Sequence, residues 1–147
     1  MPPLIQAITP ADRRDWQTLW TAYLRFYETS LPDAVFDTTF QRLCSSDFPR
    51  QNGYLARQDG QAVGLVHYVF HPHNWKTEDT CYLQDLFTTP RARGHGVGRA
   101  LIEAVYAAAD ANETPSVYWM TQDFNTQARK LYDRIGVLTP FIKYTRP

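Results

Sequence analysis

Three glycines at alternate positions, Gly94, Gly96 and Gly98, stand directly before a run of residues that favour a helix. The pattern upstream predicts a strand that ends near Thr88, so the glycines occupy the turn between a strand and a helix. Glycine lets the backbone turn sharply and lets a bound group approach the peptide amides closely. The first helical turn adds unpaired N–H groups and the positive end of the helix dipole. The stretch therefore predicts a strand–turn–helix unit that binds a phosphate or a pyrophosphate.

Three arginines surround this turn and would suit an anionic ligand: Arg91, Arg93 and Arg99. Two common phosphate-binding loops do not match the spacing. A P-loop ends in Gly-Lys-Ser or Gly-Lys-Thr, whereas Gly98 is followed by Arg-Ala. The dinucleotide-binding fingerprint requires glycine at its sixth position, which is Arg99 when the count starts at Gly94. The loop therefore belongs to neither class.

The spacing of apolar residues predicts the element order βααβββαβαβ. Strands are predicted over residues 4–9, 54–57, 62–70, 81–88, 116–121 and 141–145, and helices over about 10–27, 34–44, 96–111 and 128–135, the last ended by Gly136. Asp59-Gly60 is typical of a hairpin turn, and a strand–helix–strand unit follows, so the sheet should be mixed. We therefore predict an α/β fold with a mixed, mostly antiparallel central sheet and helices on both faces. Residues 1–147 are predicted to form a single domain.

Composition narrows the classes of function. Lys+Arg and Asp+Glu both number 15, so the chain lacks the basic excess of a strong nucleic-acid binder. No apolar stretch approaches the roughly 18 residues of a membrane span, and the N-terminal residues lack the pattern of a secretory signal. The two cysteines, Cys44 and Cys81, form no CxxC and are expected to be reduced and mostly buried. We therefore expect a cytoplasmic protein that binds neither nucleic acid nor a membrane.

The motif RGHGVG, residues 93–98, resembles the acetyl-CoA pyrophosphate loop of the GNAT superfamily of N-acetyltransferases. Upstream, YLQDLF at residues 82–87 resembles the strand that precedes this loop in the family. Downstream, NTQARKLY at residues 125–132, followed by Gly136, resembles the last catalytic helix of the family. The resemblance covers essentially the whole chain. It is closest to the histone/polyamine acetyltransferase-like branch, with the spermidine/spermine acetyltransferases as neighbours.

The resemblance implies the GNAT fold, acetyl-CoA as the cosubstrate and no catalytic metal. Backbone groups near the end of the strand would contact the pantetheine arm and polarise the thioester carbonyl. The glycine loop would take the pyrophosphate, and an asparagine would bind the pantetheine arm or the adenylate side, or serve only as a helix N-cap. The implied cofactor-binding residues are Leu86, Phe87, Thr88, Arg93, Gly94, His95, Gly96, Val97, Gly98, Arg99 and Asn125.

Tyr132 and Asp85 are candidates for the chemistry. Tyr132 lies seven residues, about two helical turns, after Asn125, and in the family pattern its phenol would protonate the leaving thiolate. Core packing is the alternative for this tyrosine. Strand alternation places Asp85 on the face of Leu83 and Phe87, where an unpaired carboxylate carries a desolvation cost. Asp85 is therefore either a structural hydrogen-bond acceptor or an anion that receives the substrate ammonium.

Gln84 departs from the pattern of the family. The spermidine/spermine acetyltransferases, which resemble this strand, carry a glutamate there that helps to remove the amine proton through water. An amide cannot act as a base in that way. Either Asp85 or a water chain takes over, or the substrate arrives less protonated, or catalysis is slow. Nearby, His67 shares a strand face with Leu65 and Val69 and is expected to be a hydrogen-bonded core or pocket histidine rather than a metal ligand.

The sequence as a whole predicts an acetyl-CoA-dependent N-acetyltransferase that acts on a small primary amine, such as a polyamine, an amino acid or a related metabolite. A protein lysine acetyltransferase and a non-catalytic acyl-CoA-binding module are the alternatives. Relatives in the histone/polyamine-like branch are commonly dimers built with their C-terminal strands. The resemblance therefore implies a homodimer joined through the tail FIKY, residues 141–144.

Overall fold

The computed structural model describes residues 2–147. Its helices are α1 (Arg13–Phe26), α2 (Asp33–Cys44), α3 (Val97–Ala111) and α4 (Thr126–Ile135). Its strands are β1 (Leu4–Ala7), β2 (Gln51–Gln58), β3 (Gln61–His71), β4 (Thr80–Thr88) and β5 (Val117–Tyr118). Two short 3-10 turns, Pro10–Asp12 and Pro90–Ala92, precede α1 and the glycine loop.

The strands form one sheet in the order β1-β2-β3-β4-β5. Each strand from β1 to β4 pairs antiparallel with the next, and β5 pairs parallel with β4. Asp59 and Gly60 connect β2 to β3 with positive φ angles of 50° and 79°, as a tight hairpin favours. The predicted mixed, mostly antiparallel sheet is therefore confirmed.

Helices cover both faces of the sheet, as the sequence predicts. On one face α1 and α2 pack against β2, β3 and β4, and the buried side chains include Trp16, Leu19, Trp20, Phe36, Phe40, Leu55, Leu65 and Phe87. On the other face α3 packs against the strands, and the buried side chains include Val66, Tyr68, Leu83, Val97, Leu101, Ile102 and Val105. Tyr132 and its neighbours on α4 border this second cluster. Within residues 2–147, no helix combines the length and the apolar character needed to cross a membrane.

β4 carries one residue more than its partner strand. His67 pairs with Asp85 and the next residue of β3 pairs with Leu83, so Gln84 is an extra residue between them. Such a bulge shifts the alternation of side chains between the two faces. Leu83 therefore lies under α3, whereas Asp85 and Phe87 face α1. The prediction that Asp85 shares a face with Leu83 is wrong, because the bulge at Gln84 shifts the alternation of side chains by one residue.

The predicted last strand, residues 141–145, does not form. Phe141, Ile142 and Tyr144 are 85%, 77% and 87% exposed, and residues 137–147 contain no helix or strand. Alternating side chains do not make a strand by themselves, because the backbone groups need a neighbouring edge to pair with. Within the described part of the chain, this tail pairs with no such edge.

The segment before α4 also differs from expectation. β5 contains two residues rather than six, because Trp119 leaves the sheet and packs its ring 6.2 Å from Tyr106 and 5.6 Å from Tyr132, centroid to centroid. Gly136 has an extended φ of −138°, so α4 does not end in a left-handed glycine. A Cβ at this position would lie 2.8 Å from the Trp119 ring. The close approach of the indole, rather than the backbone angle, therefore explains the glycine.

We expect Gly64→Ala to lower the free energy of unfolding by about 1–3 kcal/mol, because an added core atom forces its neighbours to move. The new Cβ would lie 2.9 Å from the Phe87 carbonyl oxygen and 3.0 and 3.1 Å from methyl groups of Val97 and Leu101. Denaturant unfolding measures the loss, with Gln61→Ala at the exposed start of the same strand as the control. A Gly64→Ala protein as stable as the wild type would contradict the tight packing of α3 on β3.

Candidate active site

β4 loses its β5 neighbour partway along its length. β5 pairs only with Cys81 and Tyr82, whereas β4 continues to Thr88. The Thr89 N–H donates to a β3 carbonyl, that of Val63, at 2.8 Å. Because the peptide groups of a strand alternate between its two edges, this bond places the Phe87 peptide towards β3 and those of Leu86 and Thr88 towards the open edge. The open edge offers pairing groups to an extended, amide-bearing ligand.

The glycine loop leads into an uncapped helix. Gly94 and Gly96 both have φ of 81°, a left-handed angle that side chains other than glycine rarely adopt. Within the described chain, no side chain caps the N-terminus of α3, and the first amide bonded back to the turn is that of Ala100, which donates to the Gly96 carbonyl at 3.0 Å. The N–H groups of residues 97–99 therefore precede the hydrogen bonds of the helix. They form an anion-binding end with the polarity of the helix dipole.

The arginines of the loop have separate positions. Arg93 folds back on the strand: its Nε donates to the Thr88 carbonyl at 3.0 Å, and its guanidinium lies 5.8 Å from the centroid of the Phe87 ring. Arg99 pairs with Glu103 one turn along α3, at 2.8 Å on the exposed surface. Nδ1 of His95 lies 3.3 Å from the Ala92 carbonyl oxygen. Arg93 thus links the loop to the end of β4, while Arg99 extends along the outside of the helix.

α4 brings two further candidates beside the loop. Asn125 caps the helix, since its side-chain oxygen accepts the Ala128 N–H at 3.4 Å. Leu131 lies beside the start of α3, where its methyl group is 3.5 Å from the position that a Cβ of Gly98 would take. Tyr132 is half-buried next to Leu131, and burial, with a smaller effect from Tyr27, raises the pKa of its phenol to about 12. The phenol is therefore fully protonated at neutral pH.

Asp85 lies at the centre of a group of polar side chains on the α1 face. One carboxylate oxygen, Oδ2, is 2.8 Å from Nδ1 of His67, and its side chain is 12% exposed. Burial and the Asp85 carboxylate together raise the pKa of the Tyr23 phenol well above its usual range. Burial, with a smaller effect from the same carboxylate, raises the pKa of Tyr82. The Asp85 carboxylate therefore binds the buried His67 through one oxygen and also faces the hydroxyls of Tyr23 and Tyr82.

A cleft of about 250 Å³ opens beside this carboxylate. Trp20, Val35 and Leu43 supply apolar walls from α1 and α2, and the strands contribute Gln84 and Asp85, together with Gln51, Asn52 and His67. A larger and more open depression, about 880 Å³, follows the outer face of α1 and the turn before it, and none of the candidate residues borders it. The smaller cleft is therefore the one that joins polar chemistry to a defined apolar wall.

Sequence reasoning missed Trp16 and Tyr82 as members of this region. Trp16 followed the periodicity of an amphipathic helix, and Tyr82 followed strand alternation, so neither carried a distinguishing signal. Trp75 is 90% exposed and does not border the cleft. Among residues 2–147, no cluster of three or more His, Cys, Asp or Glu side chains could hold a metal ion.

Comparison with known proteins relates this geometry to enzymes. Residues 16–137 match the acetyltransferase (GNAT) family. A D-amino-acid N-acetyltransferase of Saccharomyces cerevisiae is 40% identical over 145 residues, which cover 97% of this chain and 89% of that protein. A thialysine N-epsilon-acetyltransferase of Bos taurus is 31% identical over 74 residues, which cover 50% of this chain and 43% of that protein.

Solved structures share the fold. AAC(6')-Iy in complex with the bisubstrate analogue CoA-S-monomethyl-acetylneamine superposes with a TM-score of 0.86 at 18% identity, covering 100% of this chain and 99% of that one. A ribosomal-protein-alanine N-acetyltransferase from Brucella melitensis biovar Abortus 2308 superposes with a TM-score of 0.82 at 19% identity, again covering 100% and 99%. At this level of identity the likeness concerns the arrangement of helices and strands.

We expect Tyr132→Phe to protect the protein at alkaline pH relative to the wild type. The pKa of Tyr132 is raised to about 12 in the folded state, from an ordinary value of 10.0. The stability that this protonated phenol contributes is therefore complete below pH 10 and is lost as pH rises towards 12, by about 1.4 kcal/mol per pH unit. Denaturant unfolding of both proteins at several pH values isolates Tyr132, because the other tyrosines are common to both. Parallel curves would contradict the buried position of the phenol.

Proposed function

Because the chain belongs to the GNAT family of acetyltransferases, we propose that it transfers the acetyl group of acetyl-CoA to the primary amine of a small molecule, by direct attack of the amine on the thioester. Membership of the family and the enzyme class, an N-acetyltransferase, confirm what the RGHGVG loop and its flanking segments predicted. The cosubstrate, the acceptor and the role of each residue are the content of the proposal.

The observation that carries the proposal is the meeting of three features at one end of β4. The uncapped N-terminus of α3 lies beside the open edge of the strand, and Arg93 joins the two through the Thr88 carbonyl. α4 reaches the same place, since the Leu131 methyl group lies 3.5 Å from the position that a Cβ of Gly98 would take, and Tyr132 is the next residue of the helix. One extended ligand could therefore contact three features in turn: the anion-binding end of α3, the open-edge peptide groups of β4 and the protonated phenol of Tyr132.

Acetyl-CoA has matching parts: a pyrophosphate, a pantetheine arm with amides, and an activated acetyl group. The N–H groups of residues 97–99 suit the pyrophosphate. The open-edge peptide groups of Leu86 and Thr88 suit the amides of the arm, as an added strand would pair with them. Phe87 turns its peptide towards β3, so its contribution would come from its side chain rather than from its backbone. Asn125, which caps α4, would contact the arm only with the part of its amide that the cap leaves free.

Asp85 is proposed to receive the acceptor amine in the cleft. Its carboxylate attracts an ammonium group, and the exposed side chain of Gln84 marks the point where water reaches the cleft. The ammonium loses a proton to this water, because an amide at Gln84 cannot act as a base. The free amine then attacks the thioester carbonyl carbon, the carbon–sulfur bond breaks, and Tyr132 donates its phenolic proton to the departing thiolate. The nitrogen of the new amide gives up its second proton, which returns through water to the Tyr132 phenolate.

The proposed acceptor is an amino acid or a related small amine. A cleft of about 250 Å³ suits a small molecule, and its apolar walls suit an uncharged side chain. The name of the yeast relative, a D-amino-acid N-acetyltransferase at 40% identity, supports the same class. A polyamine would carry a second ammonium, and the cleft offers it one carboxylate, that of Asp85.

We infer a cytoplasmic location for this reaction. Cys44 and Cys81 are both free thiols, which fits a reducing compartment. Acetyl-CoA as the proposed cosubstrate fits the same setting.

Acetyl-CoA is expected to raise the melting temperature by several degrees, since a ligand at about 100 times its Kd stabilises the folded state by about 2.7 kcal/mol. Gly96→Val should abolish this shift, because valine does not adopt the left-handed φ of 81° at the start of α3. Gly60→Val is the matched control: its φ is 79°, and it also has open space around it, but it lies in the β2–β3 hairpin. The control should retain the shift, and a wild type that shows none would refute the pyrophosphate site.

Tyr132→Phe should lower kcat by about 10²- to 10⁴-fold while leaving the KM for acetyl-CoA nearly unchanged, because only the proton donor is lost. The rate at which free CoA thiol is released, measured with a panel of amines, gives kcat and the KM for acetyl-CoA in the wild type and the variant. Tyr144→Phe, in a side chain that is 87% exposed, is the control for loss of a phenol. A Tyr132→Phe enzyme within about twofold of wild-type turnover would exclude the general-acid role.

The exposed tail supports the predicted homodimer. Val137, Leu138, Phe141, Ile142 and Tyr144 are each at least 73% exposed, a concentration of apolar surface that a lone chain leaves in water. β5 is the edge strand on this side of the sheet. We propose that a second copy of the chain covers the tail, with the two tails pairing at the β5 edges.

A variant that ends at Pro140 should be monomeric, because it lacks the alternating apolar residues of the tail. Light scattering at micromolar concentrations distinguishes one copy of 17.0 kDa from two. Phe26→Ser, which removes a 56% exposed apolar side chain from the end of α1, is the control and should remain dimeric. A wild-type protein with the mass of a monomer would refute the proposed dimer but not the proposed acetyl transfer.

A further inference from the structure

His67 is buried on β3, and both of its ring nitrogens have partners. Its side chain is 6% exposed. Nε2 accepts the indole N–H of Trp16 at 2.9 Å, and Nδ1 lies 2.8 Å from Oδ2 of Asp85. The first contact joins residues 51 positions apart and the second joins residues 18 apart. A continuous hydrogen-bond chain therefore runs from α1 through β3 to β4.

The chemistry of the indole sets the direction of this chain. An indole nitrogen can donate a hydrogen bond but cannot accept one, so Nε2 of His67 must carry a lone pair. The single ring proton of the neutral imidazole is then on Nδ1 and is donated to Asp85. A second proton on Nε2 would point directly at the N–H of Trp16. Trp16 thereby holds His67 as one neutral tautomer.

Packing holds the ring in place. A Cβ at Gly53 would lie 3.1 Å from Cδ2 of His67, so the glycine of β2 lets the imidazole lie close to the strand. The ring of Trp20 packs edge-on against it, with 5.3 Å between centroids. On the other side of the pair, the titratable groups that face Asp85 are the phenols of Tyr23 from α1 and Tyr82 from β4.

We propose that His67 is a positioning residue of the acceptor site: locked by Trp16 as the neutral Nδ1–H tautomer, it holds Oδ2 of Asp85 and so orients the carboxylate, which also bonds the Tyr23 hydroxyl, to receive the ammonium of the acceptor amine. This inference rests on the proposed function, since it gives Asp85 the role of receiving the amine. The lock matters because a protonated His67 would pair with Asp85 as a cation. It would then compete with the substrate for the same negative charge.

A positioning role and a purely structural role of His67 predict different effects of pH on activity. A structural histidine affects stability, and its removal lowers activity equally at every pH. A locked histidine instead keeps Nε2 as an acceptor of the Trp16 N–H, so that no imidazolium competes for the Asp85 carboxylate. Removing the lock should therefore create a new dependence of amine binding on pH.

The first test uses Trp16→Phe, which removes the indole donor and leaves His67 and Asp85 in place. We expect the ratio of variant to wild-type kcat/KM for the amine to fall about tenfold between pH 8 and pH 6, through KM, while the KM for acetyl-CoA is unaffected. Taking the ratio at each pH cancels the ionisation of the amine itself. In the double variant Trp16→Phe/His67→Gln the ratio should no longer depend on pH, because the titrating group is gone.

Trp20→Phe is the matched control. Within residues 2–147, no group accepts a hydrogen bond from the buried Trp20 indole nitrogen, so the same substitution there removes no hydrogen bond to His67. Because Trp20 borders the cleft, its substitution can change the amine KM, but the ratio to wild type should be the same at pH 6 and pH 8. A pH-dependent ratio in Trp20→Phe would overturn the assignment of the lock to Trp16.

A second measurement does not depend on a variant that folds. Nitrogen NMR of the wild type at neutral pH should show Nδ1 of His67 protonated and Nε2 unprotonated, because the Trp16 indole can only donate. The protein has four histidines, and His67→Gln identifies the signal by its loss. A proton on Nε2 of His67 in that spectrum would refute the lock.

The outcomes separate this inference from the function on which it rests. A wild type that acetylates no amine in the panel refutes the proposed function and, with it, the positioning role. An active wild type in which Trp16→Phe gives a ratio that is flat with pH refutes only the positioning role. A ratio that falls towards low pH and is flattened by His67→Gln, together with the expected NMR signature, supports both.

Discussion

The buried hydrogen-bond chain from Trp16 through His67 to Asp85 ties the first helix to the two central strands. Buried polar groups that lack a partner are costly, so each of the three side chains restricts where the other two can lie. These hydrogen bonds therefore fix the rotation of α1 on the sheet and the register of β3 against β4. α2 follows from this arrangement, because Phe36 and Phe40 pack their rings on Trp16 at 6.0 and 4.9 Å between centroids. The cleft between α2 and the strands is a consequence of that packing.

The bulge at Gln84 makes the hydrogen-bond chain from Trp16 to Asp85 possible. If Gln84 paired regularly with β3 instead of bulging, Asp85 would share the face of Leu83 and enter the apolar cluster under α3, where it would have no histidine partner. With the bulge, β4 serves both layers: Leu83 completes one core, and Asp85 reaches the polar group on the other face. The same strand leaves Leu86 with its peptide on the open edge. The bulge at Gln84 thus separates the packing part of β4 from the part that the proposed ligands would contact.

The glycine loop and α4 supply the other half of the site, and they depend on different forces. Gly96 is required by a backbone angle, whereas Gly136 is required by the Trp119 ring that lies against it. That ring also contacts Tyr132, so the packing of one indole helps to hold the phenol near the loop. Arg93 closes the connection by bonding the end of β4. The position of the proposed acid therefore depends on aromatic packing as well as on the helix that carries it.

The sequence by itself determined the features whose causes are local. The glycine loop, the hairpin at Asp59-Gly60, the helices and most of the sheet follow from backbone angles and from the periodicity of apolar residues. Only the tertiary structure decided the bulge at Gln84, since an extra residue in a strand leaves no mark in composition or spacing. It also decided that the tail lacks a partner edge, and that His67 meets both Trp16 and Asp85. Those contacts join residues far apart along the chain, so packing and register set them, and no short stretch of sequence carries that information.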